Sequence, residues 1–113
     1  MAHLIDIHPA PGTWVIRAGG AIIGETNRAL ELVEGDYTPV IYFPRADLGM
    51  AFLEQTDHTT YCPHKGQATY YTITTAAEQF INAAWSYEAP FDGVTTIKDH
   101  VAFYTDRITV ERL

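Results

Sequence analysis

The sequence contains a single cysteine, Cys62. A disulfide within the chain is therefore excluded, and so are metal sites built from pairs of cysteines. Long apolar runs are also missing, because none reaches the roughly 20 residues that a membrane-spanning helix needs. The first residues lack the charged and apolar regions of a signal peptide. We expect a protein of the reducing cytoplasm that does not associate with membranes.

Basic residues are scarce. Seven Lys and Arg stand against fourteen Asp and Glu, which gives a formal net charge of -7. Proteins bind nucleic acid non-specifically by neutralising its phosphates with basic side chains. The composition therefore predicts no nucleic-acid partner.

Aromatic residues are plentiful, with seven Tyr, five Phe and two Trp. Aromatic and β-branched side chains fit the pleated, half-buried surface of a sheet. A chain of 113 residues has the length of one domain. We therefore expect residues 1–113 to form a single domain, with an irregular lead-in over 1–12, where Pro9, Pro11 and Gly12 lie.

Short apolar stretches recur about every ten residues between turn-forming residues, a pattern typical of β-strands. Gly19-Gly20 predicts a hairpin, because both positions tolerate a positive φ. Residues 26–33 fit a short helix or a strand, and we favour a strand because Glu34-Gly35-Asp36 ends it as a turn. Strands are predicted over 14–18, 21–25, 26–33, 39–43, 59–62, 68–74, 80–87, 101–104 and 108–110.

Helical signals are few. Asp47 is a suitable N-cap for a helical turn over 48–53, and one more turn is expected near 95–98. A parallel α/β sheet would need helices of about ten or more residues between its strands. The sequence therefore predicts a mainly β fold, either an antiparallel sandwich or an irregular barrel, with one or two short helical turns.

Arg45 follows a predicted strand and lies in a loop. The guanidinium group has a rigid fork of donors that suits a carboxylate or a phosphate. Arg45 is therefore a candidate for holding an anionic ligand. The alternative is a surface arginine that pairs with Asp47 or Glu54.

A second candidate segment is Cys62-Pro63-His64-Lys65-Gly66. A thiol close to a Lys and a His could act as a nucleophile, and the alternative is a small apolar Cys that ends a strand. Lys65-Gly66 lacks the preceding Gly and the following Ser or Thr of a phosphate-binding P-loop. Cys62 and His64 are too few for a closed zinc site, which needs four ligands, so no metal site is predicted.

The third candidate segment runs from Asn82 to Pro90. In a strand, Trp85 and Tyr87 share one face, whereas Ser86 and Glu88 share the other. A core explains the aromatic face. Glu88, at the strand end, could serve as an acid or a base if a pocket raised its pKa, and the alternative is an ordinary surface carboxylate.

Four blocks occur in a fixed order: Tyr42-Phe43-Pro44-Arg45-Ala46-Asp47, Cys62-Pro63-His64-Lys65-Gly66-Gln67-Ala68-Thr69-Tyr70, Asn82-Ala83-Ala84-Trp85-Ser86-Tyr87-Glu88-Ala89-Pro90 and Val101-Ala102-Phe103-Tyr104. This pattern resembles the domain of unknown function family 427, also catalogued as nucleotidyltransferase-like, over about residues 14–110. The resemblance implies a small β-rich fold without an established activity. Nucleotidyltransferases usually hold metal ions with closely spaced carboxylates, and this sequence has no Asp-x-Asp at a strand end. The family usually has an aromatic residue at the position of His64, so this chain has a titratable group there instead.

The leading hypothesis is a site for a small anionic or nucleotide-like ligand, with or without catalysis. Such a site would be a pocket in which cations hold the ligand between aromatic walls. The cofactor and the reaction stay unspecified. The candidate residues are Arg45, Lys65 and His64 for the anionic group, Tyr70, Trp85 and Tyr87 for the walls, and Cys62 or Glu88 as the reactive group.

Two other functional classes stay open. In a non-catalytic interaction or structural module, Trp85 and Tyr104 would lie in the core and Arg45 would be tied by a salt bridge. In a thiol-dependent redox protein, Cys62 would carry the chemistry. An exposed β edge would allow a homodimer, although no residue specifies one.

Overall fold

The structure, a computed structural model, describes residues 4–113, and its regular elements are strands and three single turns of 3₁₀ helix. The strands are β1 (Ile5–Pro9), β2 (Trp14–Ala18), β3 (Ala21–Thr26), β4 (Leu30–Glu34), β5 (Val40–Pro44), β6 (Leu53–Cys62), β7 (Gly66–Thr74), β8 (Gln79–Tyr87), β9 (His100–Phe103) and β10 (Thr109–Arg112). The 3₁₀ turns are Arg45–Asp47, Met50–Phe52 and Thr95–Ile97. None of the helical turns in this part of the chain is long and apolar enough to cross a membrane.

The strands form two sheets. The larger sheet has seven strands in the order β1-β4-β5-β9-β8-β7-β6, and the smaller has three in the order β10-β2-β3. Every pairing is antiparallel. The mainly β, antiparallel fold predicted from the sequence is confirmed, and the two sheets make it a two-layered arrangement.

The buried side chains of the large sheet belong to two cores. The first core joins the two sheets and includes Ile16 and Ile23 of the small sheet together with Phe43 of β5. The second core covers the other face of the large sheet and includes Tyr42 and Ala102. Neighbours such as Tyr42 and Phe43 go to opposite cores because successive side chains in a strand alternate. The second core carries the candidate site.

The prediction of an irregular lead-in over residues 1–12 was wrong for β1. This strand pairs with β4 from Ile5↔Glu34 to Pro9↔Leu30. It lies at the edge of the sheet, where Pro9, which has no N–H to donate, is tolerated. The chain therefore has one strand more than the sequence predicted, and residues 1–3 lie outside the described residues.

A hydrogen-bonded histidine also joins β1 to β4. His8 Nδ1 lies 2.8 Å from Asp6 Oδ2, and His8 Nε2 lies 2.8 Å from Glu31 Oε1. The hydrogen bond with Glu31, followed by that with Asp6, raises the pKa of His8 above 6.5. Because the folded-state pKa is raised, the stabilisation is fully present below the unfolded pKa and is lost as the pH rises through the folded-state pKa.

We therefore expect the replacement His8→Gln to cost more stability at about pH 6 than at about pH 8. The comparison is made by urea denaturation of the wild type and the variant at both pH values. A stability difference that does not change with pH would contradict this assignment.

Asp47 does not cap a helix, which corrects a second prediction. The 3₁₀ turn Met50–Phe52 begins after Gly49 without a side-chain cap. The Asp47 carboxylate instead accepts a hydrogen bond from Thr26 Oγ1 at 2.6 Å and pairs with Arg28 Nη2 at 3.1 Å. These two interactions, with Thr26 the stronger, lower the pKa of Asp47. They tie the segment after β5 to the small sheet.

Gly24 of β3 lies against the same segment and forms an isolated bridge with Leu48. A Cβ at Gly24 would lie 2.7 Å from the carbonyl oxygen of Asp47 and 2.7 Å from Leu48 Cδ2. We expect Gly24→Ala to lower the free energy of unfolding by about 1–3 kcal/mol, as overpacking does, measured by urea denaturation. Gly20→Ala is the control, because no atom lies within 4 Å of its Cβ position. Equal losses in the two variants would refute the expected clash.

The regular pairing between β5 and β9 is short. These strands share two residue pairs, one of which is Phe43↔Val101. Tyr104, just after β9, donates its backbone N–H to the carbonyl of Ala83 in β8 at 2.9 Å, and Val40 of β5 pairs with β4. The start of β5 and the end of β9 therefore border the candidate site without regular pairing between them.

Candidate functional site

A cavity of about 290 Å³ opens on the face of the large sheet that carries the second core. Strands β4, β5, β7 and β8 supply most of its wall. We call it the tyrosine-lined cavity, and it is bounded by Leu32, Glu34, Tyr37, Thr38, Val40, Tyr42, Lys65, Tyr70, Trp85, Tyr87 and Tyr104. Five of these eleven residues are tyrosines, so the lining combines flat apolar rings with hydroxyl groups.

Three aromatic rings form one wall of the cavity. The rings of Tyr70 and Tyr104 lie 16° from parallel with their centroids 6.4 Å apart, and the ring of Trp85 lies 4.6 Å from that of Tyr104. The hydroxyl of Tyr70 is 3.3 Å from that of Tyr104 and 3.0 Å from Thr60 Oγ1. Tyr and Trp have only two side-chain torsions, and these contacts restrict them further. The wall is therefore largely preformed.

An ion pair lies at the polar end of the cavity. Lys65 Nζ donates to Glu34 Oε1 at 2.6 Å, and the two side chains are only 11% and 14% exposed. Lys65 Nζ is also 5.9 Å from the centroid of the Tyr87 ring. Removing two charges from water is costly for a fold even when they pair. A few polar groups placed in an otherwise aromatic wall are typical of a small-molecule site.

The turn between β6 and β7 sets the position of Lys65. Its backbone N–H donates to the carbonyl of Cys62 at 3.2 Å, and its carbonyl accepts from the N–H of Phe91 at 3.0 Å. Gly66 follows with a φ of +116°, which residues with a Cβ rarely adopt. The turn is thereby fixed to the loop after β8, and Lys65 is held at the cavity wall.

Three of the cavity phenols, those of Tyr42, Tyr87 and Tyr104, are protonated at neutral pH. Burial raises the pKa of Tyr42 and that of Tyr87 well above the ordinary value of 10. Burial, with a hydrogen bond to Tyr70, raises the pKa of Tyr104 to about 12. These three hydroxyls are therefore uncharged, and each can donate or accept a hydrogen bond.

Arg45 and Glu88 meet elsewhere. Arg45 Nη2 lies 2.6 Å from Glu88 Oε2, and Nη1 lies 3.3 Å from Oε1. The hydroxyls of Tyr71 and Ser86 accept from Nη2 at 3.1 and 3.4 Å, and Ser86 also donates to Glu88. Tyr71 belongs to the core between the sheets, whereas Tyr70 belongs to the second core. The Arg45 cluster and the tyrosine-lined cavity are therefore on opposite faces of the large sheet.

This pairing fixes the charge of Glu88. The hydrogen bonds from Arg45 and then from Ser86 hold the pKa of Glu88 below its ordinary range, and the same bond with Glu88 raises the pKa of Arg45. To act as an acid near neutral pH, Glu88 would need a pKa raised above its ordinary range, whereas these hydrogen bonds lower it. The ion-pair partner of Arg45 is Glu88, just after β8, and not Asp47 or Glu54, and Asp47 instead pairs with Arg28.

Half of the candidate residues from the sequence come together. They reach one cavity because Tyr70 in β7 and Trp85 and Tyr87 in β8 point to the same face, and because the turn before β7 adds a lysine. The candidates that line the tyrosine-lined cavity are Lys65, Tyr70, Trp85 and Tyr87.

The other four candidates do not line this cavity. Arg45 and Glu88 form the cluster on the opposite face. Cys62 is partly buried against the second core. His64 is exposed in the turn next to Lys65. The structure thus gives the four residues three different surroundings.

Sequence reasoning missed Glu34, which supplies the carboxylate of the cavity. It was assigned to a turn that ends a strand, but it is the last residue of β4. Leu30, Leu32 and Glu34 alternate along this strand and therefore share one face. A charged residue that continues this apolar alternation is the feature of the sequence that could have identified Glu34 as a site residue.

Within residues 4–113, no group of three or more His, Cys, Asp or Glu side chains could hold a metal ion. A comparison with curated proteins gave no match. A protein-family model described as "Domain of unknown function (DUF427)" matches residues 6–113. This match covers the strands of both sheets and confirms the resemblance seen in the sequence. The chain belongs to the domain of unknown function family DUF427.

Proposed function

We propose that the protein binds a small, planar, uncharged molecule in the tyrosine-lined cavity. The observation that carries this proposal is the buried Lys65–Glu34 pair at the wall of a cavity whose remaining surface is mostly aromatic. Rings on the wall favour a flat ligand that can stack or meet them edge-on. The ion pair supplies a donor and an acceptor beside each other.

The size of the cavity limits the ligand. Small-molecule pockets usually enclose about 300–1,000 Å³, and the tyrosine-lined cavity, at about 290 Å³, is at the lower end. A single ring with one polar substituent fits this space better than a whole nucleotide. The cavity volume therefore favours a smaller ligand than the nucleotide-like molecule considered from the sequence.

Charge also argues for an uncharged ligand. Lys65 already faces a carboxylate at 2.6 Å, so an anion would meet Glu34 as well as Lys65. Arg45, the other cation expected to hold an anion, pairs with Glu88 on the opposite face. The net charge of -7 adds a long-range repulsion. A ligand group that both accepts from Lys65 and donates to Glu34, such as a carboxamide, satisfies both partners.

The proposal is one of binding and assigns no reaction. Neither reactive candidate, Cys62 or Glu88, lines the cavity. The polar groups that do line it are mainly an ion pair and tyrosine hydroxyls, which suit recognition by hydrogen bonds.

Three probes of similar size test this proposal by calorimetry and thermal unfolding. Benzamide is planar and uncharged, benzoate has the same ring with an anionic group, and cyclohexanecarboxamide keeps the amide on a puckered ring. We expect benzamide to bind with a dissociation constant of the order of 1 mM, as a fragment of this size can, and to bind more tightly than the other two. Arg45→Ala should leave the affinity for benzamide unchanged.

Tighter binding of benzoate than of benzamide would instead favour an anion site. Loss of benzamide binding in Arg45→Ala, with folding intact, would place the site at the Arg45 cluster. Absence of binding for all three probes would reject the proposed function.

A further inference from the structure

A second cavity of about 240 Å³ adjoins the first. We call it the apolar cavity, and it is bounded by Trp14, Thr38, Pro39, Val40, Ile41, Trp85, Phe103, Tyr104, Thr105 and Val110. Four residues, Thr38, Val40, Trp85 and Tyr104, border both cavities. The two spaces therefore share a boundary and are not on separate parts of the surface.

The two cavities meet beside the start of β5 and the end of β9, beyond the two residue pairs that these strands form. Side chains from both faces of β5 border the apolar cavity, Val40 from the second core and Ile41 from beside the first. Trp14 of β2 and Val110 of β10 close it from the small sheet. The apolar cavity thus lies at the mouth of the space between the two sheets.

The two cavities differ in chemistry. The tyrosine-lined cavity contains Lys65 and Glu34, whereas none of the ten residues around the apolar cavity is charged. Four of those ten have aromatic rings and four are aliphatic or proline. Polarity therefore falls from the ion pair, past the ring pair of Trp85 and Tyr104, toward Trp14 and Val110.

We propose that the two cavities are subsites of one binding site and that the ligand is amphipathic. Its planar polar head lies in the tyrosine-lined cavity against Lys65 and Glu34, and a short, uncharged apolar tail enters the apolar cavity. This inference rests on the proposed function and extends it to the class of ligand. The tail is the expected occupant because the apolar cavity shares four lining residues with the proposed head site and, at about 240 Å³, is too small for a folded partner.

Trp85 and Tyr104 are central to this arrangement. Their rings lie 4.6 Å apart and border both cavities. A ligand that spans both cavities would pass between these rings and the other two shared residues, Thr38 and Val40. Removal of apolar surface from water then favours longer tails until the apolar cavity is filled.

A series of 4-alkylbenzamides tests the inference: benzamide, 4-ethylbenzamide and 4-butylbenzamide, titrated by calorimetry. Thr105→Trp is the blocking variant, because Thr105 is exposed in a turn and borders only the apolar cavity. Thr109→Trp is the matched control, because Thr109 is an exposed threonine on β10 that borders neither cavity. Both substitutions add the same ring to a solvent-facing position.

We expect the affinity of the wild type to rise by roughly fourfold for each added methylene group. Thr105→Trp should bind benzamide normally and lose most of this gain, whereas Thr109→Trp should keep it. If benzamide binds but the tails add nothing, or if both variants keep the gain, the apolar subsite is refuted and the proposed function stands. If neither benzamide nor its alkyl derivatives bind, the proposed function itself fails.

Discussion

Replacing Lys65 by methionine should lower the free energy of unfolding by about 3–5 kcal/mol, the usual cost of breaking a buried ion pair. Methionine is close to lysine in shape, so packing around the stem is largely kept. The substitution removes the positive charge that lies 2.6 Å from Glu34 Oε1. The Glu34 side chain is only 14% exposed. The Glu34 carboxylate would lose this charge in a place with little access to water.

A double-mutant cycle separates this pair from its surroundings. Lys65→Met, Glu34→Gln and the double variant are compared with the wild type by urea denaturation. We expect the double variant to be more stable than the sum of the single losses predicts, by about 1–3 kcal/mol, because the pair acts as a unit. Additive losses would show that the two charges do not stabilise each other.

The chain supplies a matched control for Lys65. Lys98 is the second of its two lysines and is exposed. Surface substitutions usually change stability by less than about 0.5 kcal/mol, so Lys98→Met should be nearly neutral. Equal effects of Lys65→Met and Lys98→Met would contradict a buried, paired Lys65.

Replacing Trp85 by leucine should abolish measurable binding of benzamide. Trp85 borders the tyrosine-lined cavity, and its ring is held 4.6 Å from that of Tyr104. Leucine keeps the residue apolar but removes the flat surface on which a planar ligand rests. Contacts of this kind are worth about 1–3 kcal/mol for stacked rings, out of the roughly 4 kcal/mol that a dissociation constant of 1 mM represents.

Trp14→Leu is the control for this prediction. Trp14 is the only other tryptophan and borders the apolar cavity without bordering the tyrosine-lined one. It should keep the affinity for benzamide. Folding of both variants is checked by circular dichroism, and normal benzamide binding by a folded Trp85→Leu variant would argue against the site.

The strands could be predicted from sequence because their signals are local. Gly19-Gly20 marked the hairpin between β2 and β3, and the structure places both residues in that turn. The alternation of Trp85 and Tyr87 placed them on one face, and both line the same cavity. Edge strand β1 was missed because Pro9 is typical of irregular segments, and its ability to sit at a sheet edge depends on pairing with β4.

The position of the site could not be predicted, because it depends on register. Lys65 and Glu34 are 31 positions apart, and they meet only because β4 and the turn after β6 are brought to the same face of the sheet. Arg45 and Glu88 seemed equally suited to a ligand, but their mutual bond assigns them to another face.

Binding in the tyrosine-lined cavity is tested most directly by following the indole N–H of Trp85 by NMR. In a Trp14→Phe variant Trp85 is the sole tryptophan, so its indole gives a single, assigned signal. During a benzamide titration we predict that this signal shifts and saturates with the dissociation constant found by calorimetry. A Trp85 signal that stays in place while benzamide binds would show that the ligand occupies another site.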